Sequence, residues 1–510
     1  MLAKTVSVSV YGIDAYMVEV EVDIARGLPA ITVVGLPDAA VKESRDRVKA
    51  AVVNAGYRFP PTRLTINLAP ADTKKEGPSF DLPIAVGVLA ATQQLPGAKL
   101  RDYAIVGELA LDGGIRPVRG CLPMALGCKA AGLKGMLLPA ANAPEAAVVG
   151  GLDVLPVEKL PDAVGFLADK LPIEPHRVDF GEVFRQAAHY DVDFADVKSQ
   201  EHVKRALTVA AAGDHNALMI GPPGAGKTML AQRLPTILPH LGTEESLETT
   251  KIYSVAGLLP AKQALLATRP FRSPHHTISD AGLVGGGTYP RPGEVSLAHH
   301  GVLFLDELPE FNRKTLETLR QPLEDGRVTI ARALGSVTFP SEIMLVAALN
   351  PCPCGYYTDP RKECHCTPTQ IQNYLSRISG PLLDRIDIHV EVPSVHYQAL
   401  RSPAASESSA QIRERVTAAR ERQRRRFAGD KVFTNARMTS KHIKKHCVLD
   451  DQAEQVLRQA MNELALSARA YTKILKVSRT IADLADSDAI RVEHVTEAIQ
   501  YRSLDRNLWA

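Results

Sequence analysis

Four groups of residues in this chain have types and spacings that suit chemistry. Gly221, Pro222, Pro223, Gly224, Ala225 and Gly226 run directly into Lys227 and Thr228. Glycines at this spacing let backbone N–H groups converge on a polyphosphate; Lys227 can reach its β- and γ-phosphates, and the Thr228 hydroxyl can ligate Mg²⁺. The expected ligand is a nucleoside triphosphate with its magnesium ion.

The second group is acidic. Asp306 and Glu307 follow the apolar run Val302 to Leu305, where Asp306 can hold Mg²⁺ and Glu307 can polarise an attacking water. Asn350, just past the apolar run Ile343 to Ala348, can orient that water. The third group is cationic. Arg385 in LLDRIDIHVEV precedes a strand-like run and could meet a neighbouring subunit's γ-phosphate, stabilising transition-state charge with a planar fork that Lys lacks; a salt bridge to Asp384 or Asp387 is the plainer use. Arg469 in SARAYTKILKVSRTIADLAD could reach the nucleotide from a helical lid, with Arg479 competing for that role. The fourth group, Cys352, Cys354, Cys364 and Cys366, suits a closed, structural Zn²⁺ site on a short loop. The alternative is a metal-free reduced loop, with His365 able to replace one thiol.

These residues need a particular scaffold. Ala217 to Ile220 reads as a buried strand and Lys227 to Leu234 as a helix, with the glycine loop between them; 302–305 and 343–348 read as further central strands of a parallel sheet. The acids then lie at strand carboxyl ends, where open α/β sheets bind ligands. Between Leu234 and Val302 there is more chain than a strand–helix unit needs, with Gly282, Gly285, Gly286 and Gly287 marking a flexible loop. Arg327 to Ile330 and Val337 to Phe339 read as a hairpin with Arg332 near its tip. Residues 436–504 carry amphipathic helices with Leu475, Ile481 and Leu484 inside. Ser402 to Ala410 reads as a linker, and from Arg413 to Arg426 there are seven Arg against two Glu, most simply a solvated helix face.

Composition sets the outer limits. A chain of 510 residues with 45% hydrophobic and 23% charged content is long enough for about three domains. Aromatic content of 5% and a net charge of +3 give no sign that base stacking or bulk charge dominates any nucleic-acid contact. The first residues alternate polar and apolar instead of forming a secretory signal, and no run reaches the ~20 apolar residues of a membrane span. A cytoplasmic protein without membrane partners is the expectation, and seven cysteines with four clustered fit a reducing compartment.

Residues 1–175 alternate strand-like and helical patterns and read as a mixed α/β domain. Within them, 74–91 and 106–139 resemble the proteolytic domain of Lon proteases, whose Ser nucleophile is activated by a Lys. Ser79 matches the nucleophile, but the Lys position is Leu122, and a Leu cannot accept a proton. The resemblance therefore implies a non-proteolytic Lon-like domain, similar to that of the recombination protein RadA, with an oligomerisation or DNA-positioning role. Ser79 itself is expected to N-cap a helix over 79–92.

Taken with RPFRSPHHTISDAGLVGGG at 269–287, LPEFNRKTLETLRQPLEDGRVTIAR at 308–332, NPCPCG at 350–355 and SGPLLDRIDIHV at 379–390, the whole chain resembles the magnesium-chelatase-related AAA+ family called ComM or YifB. The resemblance implies a homo-hexameric, ATP-driven helicase that moves single-stranded and branched DNA in recombination and natural transformation, with recombination proteins as further partners. The pore of such a ring would be lined by the hairpin. The expected organisation is a Lon-like domain (1–175), a linker (176–200), an AAA+ core (201–395, zinc loop 352–366), a linker and basic helix (396–430) and a helical lid (431–510). Competing expectations are a magnesium-chelatase-like ATPase remodelling a protein partner, a DNA-binding scaffold with regulatory ATPase, and a Lon-type protease.

Overall fold

The computed structural model describes residues 1–179, 181, 184, 190–260, 263–287, 290–332, 335–357, 359–394, 407–464 and 466–504. They form two compact units, Met1–Ala187 with Thr243–Ala267, and Ala188–Gly242 with Thr268–Ala510. The segment 243–267 lies inside the second unit in chain order yet packs in the first.

The first unit is built on a seven-stranded mixed sheet in the order Ala30–Val34, Arg63–Ala69, Asp14–Ala25, Leu2–Tyr11, Tyr103–Ile105, Gly135–Pro139 and Asp153–Val157. Strict alternation in Asp14–Ala25 buries Val18, Val20 and Val22 completely, as period-two patterning requires. The helix Asp81–Ala91 is apolar all round and buried along its whole length, the mark of a core helix. Ser79 does not cap it: the helix starts two residues later, Ser79 lies in the short 3₁₀ turn Pro78–Phe80, and neither start carries a side-chain cap bond. Helix Thr243–Ala256 contributes Ser254, whose Oγ donates to the buried Glu145 carboxylate at 2.7 Å. Leu122 is fully buried.

The second unit carries a five-stranded parallel sheet in the order Phe271–Arg272, Val302–Leu305, Met344–Leu349, Ala217–Ile220 and Ile388–Glu391. The three central strands are buried at every residue, which explains their unbroken apolar runs. Helices Glu201–Gly213 and Lys227–Ile237 pack with this sheet in one apolar core that continues into the lid. The lid comprises Ser440–His446, Asp451–Glu463, Ala468–Leu484 and Val492–Gln500. Leu475 and Ile481 are buried within it and Leu484 packs against them.

Two further expectations need correction and a third needs refinement. Gly285 and Gly286 do not form a loose loop but pair with Arg291 and Pro292. A Cβ on Gly285 would fall 2.5 Å from the Arg291 carbonyl, so close backbone approach accounts for that glycine. The hairpin is longer than expected, Arg327–Arg332 paired with Gly335–Pro340. The basic helix Ser409–Arg426 has the expected solvated face, where Arg415, Arg424 and Arg425 are exposed, but its other side is buried through Ile412, Val416 and Ala419. Three of its arginines are used inside the chain, Arg413 on the Thr236 carbonyl, Arg420 on the Ala211 carbonyl and Arg426 on Asp483. The expected linker at 402–410 lies partly outside the described residues. Among the described residues no helix is long and apolar enough to cross a membrane.

Candidate functional site

Strand Ala217–Ile220 delivers the glycine loop to the carboxyl edge of the sheet, where Gly221 N–H donates to the Leu349 carbonyl. Gly224 and Gly226 have φ of +76° and +88°, and a Cβ on either would meet nothing within 4 Å. Conformation, not crowding, selects glycine there, and the space beside both glycines is open. Lys227 Nζ spans this loop, donating to the carbonyls of Gly221 (2.6 Å) and Pro222 (3.0 Å) and to Asn350 Oδ1 (3.0 Å). Burial pulls its ammonium below the ordinary lysine value, against the opposing pull of Asp306 and Glu307. Pro223 stands exposed on the outer turn and Ala225 is buried beneath it, its carbonyl accepting from Gln200 Nε2 at 2.9 Å.

Thr228 Oγ1 donates to Asp306 Oδ2 at 2.7 Å. The two groups expected to share Mg²⁺ therefore meet, although 78 residues separate them. These oxygens, the lysine and the open glycine loop form a donor set that fits a magnesium-bound triphosphate. Glu307 follows in a left-handed conformation, φ +51°, a strained choice for a non-glycine residue that places its carboxylate outward. The carboxylate faces His276, with Nδ1 to Oε2 at 3.3 Å. His276 did not emerge from the motifs. The signal that points to it is register: Arg272 pairs with Leu303, so four residues beyond each partner lie His276 and Glu307.

Lys227, Thr228, Asp306 and Asn350 are thus brought together. Arg385 and Arg469 are not. Asp387 and Ile388 N–H both donate to the Asn216 carbonyl, which puts Arg385 before the first residue of the central strands. A four-residue strand separates that edge from the glycine loop by about 13 Å. Arg385 pairs with Glu324 rather than with Asp384 or Asp387. Asp384 accepts from Arg469 instead, at 2.6 Å, so Arg469 does not reach its own glycine loop. Arg479 is buried and tied to Asp483 and to the Asp488 carbonyl, which makes it part of the lid scaffold.

Behind these arginines the loop is fixed from several sides. Asn216 Nδ2 donates to the Arg385 carbonyl, and Lys473 and Arg502 donate to the Ile386 carbonyl. Asp387 binds Lys473 Nζ at 3.0 Å and His215 Nδ1 at 2.9 Å. Burial alone would raise the Asp387 carboxyl, but the Lys473 charge and the hydrogen bond from His215 outweigh it and hold the group well below the usual carboxylate range.

The cysteine cluster starts two residues past Asn350. Sγ of Cys352 lies 3.3 Å from that of Cys354 and 3.7 Å from that of Cys364, and Cys354 and Cys364 are 3.6 Å apart. With Cys366 the four sulfurs fall within 4.8 Å of one another. A tetrahedral ion with Zn–S bonds of 2.3 Å would set them about 3.8 Å apart. Backbone N–H groups of Gly355 and Tyr357 donate to Cys352 Sγ, and that of Cys354 to Cys366 Sγ. The Tyr356 backbone N–H pulls the Cys354 thiol down to about 6. Four convergent sulfurs with amide donors fit a thiolate-bound metal.

Family models and curated proteins match nearly the whole chain. The family described as "Magnesium chelatase, subunit ChlI" matches residues 193–400, "Subunit ChlI of Mg-chelatase" matches 20–142 and "Magnesium chelatase, subunit ChlI C-terminal" matches 406–502. The chain is 46% identical to "Competence protein ComM" of Haemophilus influenzae over 514 residues, covering 99% of this chain and 98% of that protein. It is 46% identical to "Uncharacterized protein YifB" of Escherichia coli over 499 residues, 98% and 96% of the two chains. A Lon protease of Rhizobium meliloti is 26% identical over 182 residues, 33% of this chain and 22% of that protein. With a complete match to one type of relative and a partial, weaker match to the other, the chain belongs to the ComM/YifB family of magnesium-chelatase-related AAA+ ATPases.

Proposed function

We propose that this protein is an ATP-hydrolysing motor that works as a homo-hexameric ring on single-stranded and branched DNA and promotes branch migration of recombination intermediates in the cytoplasm. The observation that carries the proposal is the split site. Lys227, Thr228, Asp306, Glu307 and Asn350 stand at the carboxyl ends of the strands, while Arg385 and Arg469 stand at the amino ends with Asp384. A chain that carries both halves about 13 Å apart completes a site when copies are placed head to tail, and head-to-tail contacts close into rings.

In this reading Lys227 exchanges its protein acceptors for phosphate oxygens, Thr228 and Asp306 hold Mg²⁺, and Asn350 orients the attacking water. Glu307 takes its proton. Bound Mg²⁺ supplies charge neutralisation at the phosphates. Arg385 of one copy reaches the neighbour's γ-phosphate, leaving a Glu324 carboxylate that is 60% exposed. Water can solvate the Glu324 carboxylate left behind, which limits the cost of the exchange. Arg469 approaches the same neighbouring nucleotide. Cys352, Cys354, Cys364 and Cys366 hold Zn²⁺ as a structural ion.

Two observations favour DNA as the substrate. One outer face of the hairpin presents Arg327, Thr329, Ser336 and Thr338, all exposed, while Val328, Ile330, Val337 and Phe339 are buried. Such donors suit phosphate oxygens and carry no base readout. The Haemophilus influenzae relative is named a competence protein. ATPase rates with and without forked or four-way DNA test the proposal: stimulation by branched DNA is expected. No stimulation by any DNA would favour a chelatase-like ATPase that remodels a protein partner.

A further inference from the structure

The cysteine loop does more than sit beside the glycine loop: it forms part of its wall. Gly355, the residue after Cys354 and the last of the turn Cys352–Gly355, has φ +86°, and a Cβ there would lie 2.5 Å from Pro223 Cδ and 2.7 Å from Pro223 Cγ. The Gly355 backbone is therefore pressed against the ring of a glycine-loop residue. Farther along, Arg361 donates from its guanidinium to the Ser394 carbonyl at 3.0 Å. Next to Ser394, the Pro393 carbonyl accepts from Gln200 Nε2, which also donates to the Ala225 carbonyl, both at 2.9 Å. Val392 completes the circuit, since a Cβ on Gly221 would fall 2.1 Å from its carbonyl oxygen. The cysteine loop thus meets the glycine loop directly at Pro223, through Gly355, and reaches Ala225 indirectly, because Arg361 holds Ser394 and Gln200 joins the neighbouring Pro393 carbonyl to that of Ala225.

What holds the cysteine loop itself is a separate question. Among its described residues from 351 to 367, only Pro351, Cys352 and Gly355 are buried, and no helix or strand forms. Apolar burial is the dominant stabilising term in folding, and this segment has almost none. The convergent sulfurs are what remains to order it, because metal binding free energy serves as folding free energy in such segments.

We infer that a thiolate-bound divalent metal at Cys352, Cys354, Cys364 and Cys366 sets the nucleotide affinity of the adjacent glycine loop, so that metal occupancy controls ATP binding. The inference rests on the proposed zinc and ATP sites and adds a regulatory coupling between them. With the metal in place, Gly355 and Arg361 keep the loop in its binding-competent form. Without it, the competent fraction falls and apparent affinity falls in proportion.

The test uses the full chain in zinc-loaded form and after chelation, desalting and resupply of Mg²⁺. Zinc content is measured by mass spectrometry and affinity with a fluorescent N-methylanthraniloyl-ATP. Stripping is expected to weaken binding about tenfold, with recovery on adding one equivalent of Zn²⁺. Arg361→Ala and Gly355→Ala keep all four thiols; each should retain zinc and a native circular dichroism spectrum yet weaken binding about threefold. Turnover at saturating ATP should fall less than affinity, as a positioning role requires. Unchanged affinity in stripped protein, or in both variants if stripping unfolds the chain, overturns the inference while leaving the zinc and ATP sites standing. Loaded protein that holds no zinc, or that does not bind the analogue, removes the underlying reading and the inference with it.

Discussion

At the carboxyl ends of the ATPase strands the functional groups stand on turns and on the first turn of helix Lys227–Ile237, and Thr228 and Glu307 are exposed. At the amino ends, about 13 Å away, the loop carrying Arg385 is fixed by Asn216, Lys473, Arg502 and the buried Asp387. In the proposed ring the first end would receive the nucleotide, and the braced end would present an arginine to a neighbouring copy. A group that must act on a neighbouring molecule cannot be adjusted by its own subunit's ligand, so its loop has to be rigid before assembly. The receiving end can reorganise, because Lys227 only exchanges one set of oxygen acceptors for another.

Breaking the presenting end should have the largest effect. Arg385→Ala is expected to lower ATP turnover about 10³-fold with nucleotide binding retained, the scale of an arginine finger. Mixing Arg385→Ala with Glu307→Gln protein should restore part of the rate, since one interface in the mixed assembly then has both groups intact. A steady-state ATPase assay across mixing ratios decides this; no recovery at any ratio removes the shared site.

Breaking the receiving end should act on binding first. Lys227→Ala is expected to weaken nucleotide affinity about 100-fold, roughly 2.8 kcal/mol, as read by equilibrium titration. Glu307→Gln should bind ATP normally and turn over about 10²-fold more slowly, so the two variants separate binding from chemistry on the same edge.

The bracing is tested through stability and pH. Asp387→Ala leaves Lys473 buried without its partner and should cost about 3 kcal/mol in chemical denaturation. The Asp387 carboxyl is depressed in the folded chain, so its contribution is complete above the unfolded carboxyl value of about 3.9 and is lost as pH falls from there towards the folded value. Wild-type protein should therefore lose more stability than Asp387→Asn between about pH 4 and pH 2.

The smallest effect is expected in the first unit. Ser79→Ala should leave ATPase activity unchanged and stability within about 0.5 kcal/mol. Leu122, which the resemblance to Lon proteases sets at the lysine position, is buried in apolar core. A peptidase activity abolished by Ser79→Ala would reverse that assignment.

Much of the site was legible from residue types and spacing. The glycine loop with Lys227 and Thr228 is a contiguous segment, and backbone geometry over eight residues is a local matter. Asp306, Glu307 and Asn350 were legible because each closes an unbroken apolar run that reads as a central strand. The cysteines were legible because four soft ligands in fifteen residues leave few other uses. The Ser79 cap failed because the chain inserts a 3₁₀ turn before the helix, and the basic helix was legible only on its solvated side because arginine forks can also be used internally, as those of Arg413, Arg420 and Arg426 are.

The amino-acid sequence by itself determined the chemistry available at each strand end and the family that carries it. Only the tertiary structure decided which of those groups share an edge. It placed Arg469 with Asp384 rather than with Lys227, paired Arg385 with a Glu324 61 residues away, set His276 against Glu307, and packed helix Thr243–Ala256 with the first unit. Each of these depends on strand order and on contacts between distant segments, and no spacing along the chain encodes an order that arises when separate strands pair.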